Sequence, residues 1–239
     1  LPTQISYLAS YLSYARNTEN IICLSGKSKK EKYLSDLFSE RYNKFIEGKT
    51  DNYRAAASTH NLTSYSSLHG FDLKLVQGKK NIIIIPILEE AMASAFFTQL
   101  TVLMSRSKMR GYEIEIYGLE NMLDYNDINV DSKMRFNFHV LTSSFVDYKD
   151  EKVKDFVRKY RAKYGTEPTK YAFMGFDVAF YHALALNSFG KNYTTYYNQV
   201  QLPLLQTNYV LKQSESNSGY ENQSVYILRY QDYDLVRVK

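Results

Sequence analysis

Four consecutive isoleucines at 82–85 stand out from the mixed polar and apolar pattern around them, and Pro86 follows directly. Apolar β-branched residues on both faces of the pleat suit a central strand of a parallel sheet with helices on both sides. Proline has no N–H to give to a ladder, so the strand is predicted to end there. Glu89 and Glu90 then fall in the first turn of a helix, where carboxylates favour the positive end of the dipole. Phe96, Phe97, Leu100, Leu103 and Met104 recur at helical spacing, a stripe suited to packing back on the sheet.

The same periods order the rest of the chain. Ile5, Leu8, Ala9, Leu12 and Ala15 mark an opening helix after Pro2, and the apolar run at 20–25 marks the first strand. Leu34, Leu37, Phe38, Tyr42 and Phe45 predict a second helix over 29–46, stopped by Gly48. A weaker, alanine-rich strand is expected over 53–59. A short helix is expected over 62–76, with Leu68, Phe71 and Leu75 inward, broken around Gly70 and closed by Gly78. After the central unit come strands over 112–117 and 135–141, separated by an acidic, asparagine-rich linker at 124–131. Val153, Phe156, Val157, Tyr160 and Tyr164 then mark an amphipathic helix stopped by Gly165. The next helix, from Ala172 to Leu186, is apolar almost all round and wants cover on several sides. Alternating strands and helices indicate an α/β domain with a mainly parallel sheet.

Composition narrows the class. The 239 residues are 44% hydrophobic and 23% charged, enough for one large domain or two small ones. The net charge of +5 comes from lysines and arginines scattered among acids, without the sustained basic stripe of a nucleic-acid binder. A single cysteine, Cys23, lies in the first strand, so neither a disulfide framework nor a cysteine-based zinc site can form within one chain. No apolar run is long enough to span a bilayer, no charged-then-apolar leader is visible, and the chain opens at Leu1 without methionine. A processed or partial chain is expected.

Ligands of parallel sheets collect at the carboxyl ends of the strands, here the segments at 25–30, 59–61, 87–90, 118–121 and 142–148. Ser25-Gly26-Lys27-Ser28 copies the end of a phosphate-binding loop, but the first glycine of that motif falls at Ile21, inside the strand. A basic, exposed helix start is the preferred reading, and a phosphate-handling enzyme using Lys27 and Ser28 is the rival. His60, His69, His139 and His182 are not at ligand spacing, and no hydrolase or metalloprotease motif is present. Glu89-Glu90 reads as a helix start in preference to an acid/base dyad, because helix neighbours point in different directions.

Phe156, Tyr160, Tyr164-Gly165-x-Glu167-Pro168, then Tyr171-Ala172-x2-Gly175-Phe176-Asp177 and Ala183-Leu184, resemble a passage of type I periplasmic-binding-protein-like modules. That family includes leucine/isoleucine/valine-binding proteins and receptor ligand-binding regions. Pro2-Thr3-Gln4 with Tyr7-Leu8-Ala9-Ser10-Tyr11-Leu12 is similar to the helix that opens the family's second lobe. The ending from Gly219 to Tyr230 resembles envelope members in which the module follows peptidoglycan-binding LysM repeats.

The resemblance implies a three-layer αβα fold, with a second lobe over 1–163 and the closing portion of the first lobe over 164–239. It implies a non-catalytic, exported ligand-binding module with no cofactor or metal, located in the periplasm or cell envelope. The ligand implied is a small polar molecule such as an amino acid, and an envelope-protein or peptidoglycan contact through upstream domains is the alternative. Glu120, in Gly118-Leu119-Glu120, falls where the family's ammonium-binding acid sits, with a solvated loop glutamate as the other reading. Tyr33 resembles the family's stacking tyrosine, against ordinary packing, while Ser25 and Glu89 belong to the strand-end loops taken as ligand-binding. Early elements of the first lobe are absent from this pattern. The apolar surface at 172–186 is therefore expected to be covered by segments that precede Leu1, and the chain alone is expected to self-associate.

Overall fold

The computed structural model describes residues 1–16, 18–47, 56–62, 64, 68–200, 202–213 and 219–238. They form two compact units, the first comprising Leu1–Thr142 with Ile227–Lys239 and the second Ser143–Tyr226. The division expected at 163/164 concerns the lobes of the related family and is a different partition of the chain.

Unit 1 is built on α1 (Pro2–Ala15), β1 (Asn20–Ser25), α2 (Lys29–Ile46), β2 (Ser58–Asn61) and β3 (Lys80–Ile85). It continues with α3 (Glu90–Met104), β4 (Glu113–Leu119), α4 (Val130–Arg135) and β5 (Phe138–Thr142). Strands β1 to β5 pair in parallel. The sheet order is β2-β1-β3-β4-β5-β8-β9, where β8 (Tyr226–Gln231) and β9 (Asp234–Arg237) are an antiparallel pair at the far edge. Asp232 and Tyr233 both adopt positive φ, 51° and 62°, the backbone that a tight two-residue hairpin requires.

Ile82 to Ile85 are at most 1% exposed in the middle of the sheet. Each fully buried side chain of this size contributes about 1.5–3 kcal/mol, so this run anchors the core. Phe138 turns toward α3, its ring 5.6 Å from that of Phe97, while the adjacent His139 turns to the other face and stacks on Tyr117 at 4.6 Å. Helices therefore cover both faces, as the isoleucine run predicts.

Several boundaries differ from the pattern. Between Leu68 and Val76 the chain makes only a 3-10 turn over Asp72–Lys74, not an α-helix, although Phe71 and Leu75 are buried as expected. Gly70 and Gly78 at φ +71° and +80° break any helical register there. Strand β2 starts at Ser58, later than the expected 53, and residues 53–55 lie outside the described residues, as does Gly48. The linker at 124–131 runs into α4, capped by the Asn129 side chain accepting from Asp131 N–H at 2.7 Å, so Arg135 ends a helix and does not begin a strand.

Unit 2 contains α5 (Glu151–Tyr164), α6 (Lys170–Phe189), 3-10 turns over Gly190–Gln199, and the antiparallel pair β6 (Leu211–Gln213) and β7 (Tyr220–Asn222). Gly165 ends α5 in the left-handed conformation, φ 69°, which glycine adopts without a Cβ penalty. Val153, Val157, Phe173 and Leu205 make one core, and Tyr181, Ala185 and Val200 another. Between them Asp177, wholly buried in the middle of α6, accepts N–H bonds from Leu205, Gln206 and Thr207 at 2.7, 2.9 and 3.0 Å.

Candidate functional site

Because β2 and β3 lie on opposite sides of β1, the direction of winding reverses between β1 and β3, and the loops leaving those strands flank a topological switch point. Ser25 ends β1, buried, its carbonyl accepting from Leu62 N–H at 2.9 Å. Glu89 is the exposed N-cap residue of α3, on the loop leaving β3. Glu120 opens the 3-10 turn that leaves β4. Tyr33 lies in the first turns of α2 with its ring 54% exposed and, among the described residues, against no other ring. All four sequence-predicted residues thus lie at the carboxyl end of the sheet, each on a different element.

What joins these loops is Glu31, which the sequence reading overlooked. Its carboxylate accepts from Ser28 N–H at 3.0 Å, Ser28 Oγ at 2.8 Å and Leu88 N–H at 2.7 Å, and so bridges the loops after β1 and β3. Burial works against its charge, yet the N–H groups of Leu88, Ser28 and Glu89 and the Ser28 hydroxyl outweigh it and hold the carboxyl below the usual range. Ser28 returns the bond by capping Glu31 N–H at 3.1 Å. This capping box was legible as S-x-x-E. A Cβ on Gly26 would lie 2.5 Å from the Glu31 carboxylate, so glycine is required to admit that side chain. The loop resembling a phosphate cradle is filled by the protein's own carboxylate.

The next junction is built from Asn121 and Tyr125. Asn121 Nδ2 donates to the Ile87 carbonyl at 3.3 Å and to the Tyr125 hydroxyl, which donates to the Leu88 carbonyl at 2.6 Å. Gly118 is tightly enclosed as well, since a Cβ there would lie 2.5 Å from Met122 Sδ and 2.8 Å from the Phe138 ring. Gln4 of α1, only 6% exposed, donates from Nε2 to Glu120 at 3.0 Å. Two buried acceptors on its neighbours have no hydrogen-bond partner, Oε1 of Gln4, which donates to this carboxylate, and Oδ1 of Asn121, the next residue in the chain. Burying an acceptor unsatisfied costs about 1–3 kcal/mol, which marks the patch as unusual. A glutamine on a helix carries no sequence signal of such a role, and neither Gln4 nor Asn121 stands out by spacing.

At the opposite end of the sheet a second polar group is fully internal. Glu115 accepts from the Tyr117 hydroxyl at 2.7 Å and Asn137 Nδ2 at 3.2 Å, with Lys80 Nζ at 3.3 Å. Buried Asn81 accepts from Val76 N–H and Asn20 and donates to the carbonyls of Val76, Lys79 and Glu113, at 2.7–3.3 Å, tying the starts of β1, β3 and β4. These groups hold the sheet together and leave the carboxyl-end rim as the candidate site. His60 packs edge-on against Phe71, and no group of three or more His, Cys, Asp or Glu among the described residues is placed to hold a metal ion. Among the described residues no helix is long and apolar enough to cross a membrane.

No family model matches the sequence, and no curated protein is similar to it in sequence. Solved structures are similar in fold. An ABC transporter substrate-binding protein from Desulfitobacterium hafniense, in complex with Leu, has 14% identity over 99% of this chain and 65% of its own, TM-score 0.59. A branched chain amino acid ABC transporter periplasmic ligand-binding protein from Burkholderia xenovorans has 12% identity over 99% and 62%, TM-score 0.61. The C-domain of LpoA from Haemophilus influenzae, a regulator of PBP1A, has 13% identity over 100% and 67%, TM-score 0.53. The chain therefore has the α/β fold of type I periplasmic-binding-protein-like structures, and it spans 62–65% of the length of the first two.

Proposed function

We propose that the chain is a non-catalytic ligand-binding module of the bacterial envelope, in which the carboxyl-end rim of unit 1 is one wall of a site for a small polar ligand, an amino acid first among them. The observation that carries this reading is Glu120, a carboxylate at a strand's carboxyl end that accepts from buried Gln4, with unpartnered buried acceptors on Gln4 and on the adjoining Asn121. An ammonium group brings a positive charge and three N–H donors, the complement of that patch. Ser25, Glu89 and Tyr33 belong to the same rim and are assigned to the wall around it. One structure of the same fold holds Leu, which supports the ligand class. The chain corresponds to the second lobe over 1–163 and the closing portion of the first over 164–239, in keeping with the share of its structural relatives that it spans. A phosphate-handling enzyme built on Lys27 and Ser28 is disfavoured, because Glu31 occupies the loop's donors.

Calorimetry and thermal-shift screening of the chain against the amino acids test this reading. A ligand bound only by the folded state at a hundred times its Kd adds about 2.7 kcal/mol. Glu120→Gln keeps the shape, removes the charge, and is expected to weaken the identified ligand at least tenfold. An unchanged affinity removes Glu120 from the site. A screen with no stabilising ligand favours the second reading, a contact module for another envelope protein, which the bare apolar face of α6 supports.

A further inference from the structure

The connection from β2 to β3 crosses over β1, and in a parallel sheet such a crossover usually holds a helix. Here its described part makes only the 3-10 turn at Asp72–Lys74, and a cavity of about 470 Å³ opens between that segment and the second half of α3. Its size is that of a small-molecule site, roughly 300–1,000 Å³. On α3, Gln99, Val102 and Leu103 share one flank at helical spacing with Arg106, the first residue past the cap. Leu68 and Leu73 stand on the facing wall. Val102 is 53% exposed and Leu73 87%, apolar surface left bare at the mouth. Among the described residues neither the Gln99 amide nor the Arg106 guanidinium makes a hydrogen bond or ion pair. Asp72, also in the lining, is paired with Lys108 at 2.7 Å. That bond, with the charges of Lys108 and Arg106 behind it, holds the Asp72 carboxyl below its usual range, so two cations surround one acid and the mouth is net positive.

We propose that this cavity binds the carboxyl end of a short peptide whose last residue is apolar. The planar guanidinium of Arg106 can give two parallel N–H donors to a carboxylate, at a place with one surplus positive charge. Leu68, Leu73, Val102 and Leu103 surround the space beside it, where the last side chain fits. The Gln99 amide both donates and accepts, the complement of a peptide bond. From position 99 to 106 is two turns, about 10 Å along the axis and the length of roughly three extended residues, so a terminal carboxylate and a peptide group upstream of it are met together. A free amino acid fits poorly, because its ammonium would lie beside Arg106 and Lys108 with only the already paired Asp72 to receive it. A fatty acid would satisfy Arg106 and the apolar wall but cover the Gln99 amide with hydrocarbon, leaving it without a partner. The cavity is also distinct in place from the Glu120 rim, since α3 leaves the carboxyl end of β3 and runs back toward the other end of the sheet.

Calorimetric titration of the full chain with acetyl-alanyl-alanyl-leucine tests the proposal. Saturable binding is expected, weakened at least tenfold when the peptide ends in an amide in place of the acid, a comparison that needs no variant. Arg106→Gln, on an exposed side chain, should weaken the acid to a similar degree with an unchanged circular dichroism spectrum. Gln99→Leu should weaken the peptide severalfold and leave octanoate, a carboxylate without a peptide bond, no weaker. Hydrogen exchange should slow at 68–73 and 99–106 when the peptide binds and stay as it is at 120–125. Glu120→Gln should not alter the peptide's affinity, which keeps failure at this cavity separate from failure at the rim. Absence of binding at millimolar peptide overturns the proposal. So does an amide that binds as well as the acid, an affinity indifferent to Arg106→Gln, octanoate binding more tightly than the peptide, or peptide binding that is lost in Glu120→Gln.

Discussion

Replacing Asp177 with alanine is expected to release the 205–207 segment of unit 2. The Asp177 carboxylate, wholly buried, is the acceptor for the N–H groups of Leu205, Gln206 and Thr207 at 2.7, 2.9 and 3.0 Å. A hydrogen bond to a charged group contributes about 1.5–3 kcal/mol, so three give a ceiling of about 4.5–9 kcal/mol. The segment can relax and admit water to some of its amides, which brings the expected loss nearer ~3–5 kcal/mol, since each amide left buried and unpaired costs about 1–3 kcal/mol. Leu205 also joins the core of Val153, Val157 and Phe173, so its release loosens the packing of α5 on α6. Hydrogen exchange followed by mass spectrometry reads the opening locally, without requiring the chain to unfold as one cooperative unit. Protection at 205–207 should fall by more than a hundredfold in Asp177→Ala, with β3 of unit 1 unchanged. Asp177→Asn keeps one acceptor and should fall between. Unaltered protection at 205–207 in Asp177→Ala would refute the reasoning, because the amides would then be satisfied by something else.

Two further outcomes rest on unit 1. Glu31→Ala removes the capping box and the bond to Leu88 and should lower stability by about 2–4 kcal/mol in urea unfolding. Exchange at Ser28 and Leu88 should rise together, and a rise at Ser28 alone would show that Glu31 does not join the two loops. Acidification is expected to destabilise the chain in two stages. Burial lowers the pKa of His139 below its ordinary 6.5 against the opposing pull of Glu115, so the unfolded chain takes that proton first and stability starts to fall below about pH 6.5. Burial raises Glu115, but the Tyr117 hydroxyl and the positive charges around it prevail and hold it below 4.5, as similar bonds do for Glu31, so stability held above that pH is lost as it falls further. Burial lowers His60 in the same way, so His139→Gln should shrink the first stage in urea titrations across pH without removing it, and a curve unchanged by the substitution would remove His139 from the account.

The elements whose ends are marked locally were legible in the chain itself. Strands β1 and β3, helices α1 and α2 and the stop at Gly165 fall where apolar period, proline and glycine put them, since these signals act within three or four residues. The described part of the segment expected as a helix, 68–76, shows the limit of that reading: inward-facing Phe71 and Leu75 suit a helix, but glycines at positive φ and burial against neighbouring elements hold it as a turn. At the candidate site the strand-end positions of Ser25, Glu89 and Glu120 followed from the alternation of strands and helices. Gln4 was invisible as a partner of Glu120 because the two lie 116 residues apart, and Glu31 reaches Leu88 across 57. Asp177 likewise looked like one member of an apolar helix until the chain returned 28 residues later to present three amides to it. Local sequence determines where an apolar face forms. Which donor meets a buried carboxylate, and which acceptor is left without one, depends on where distant segments are brought by packing, and that only the tertiary structure decided.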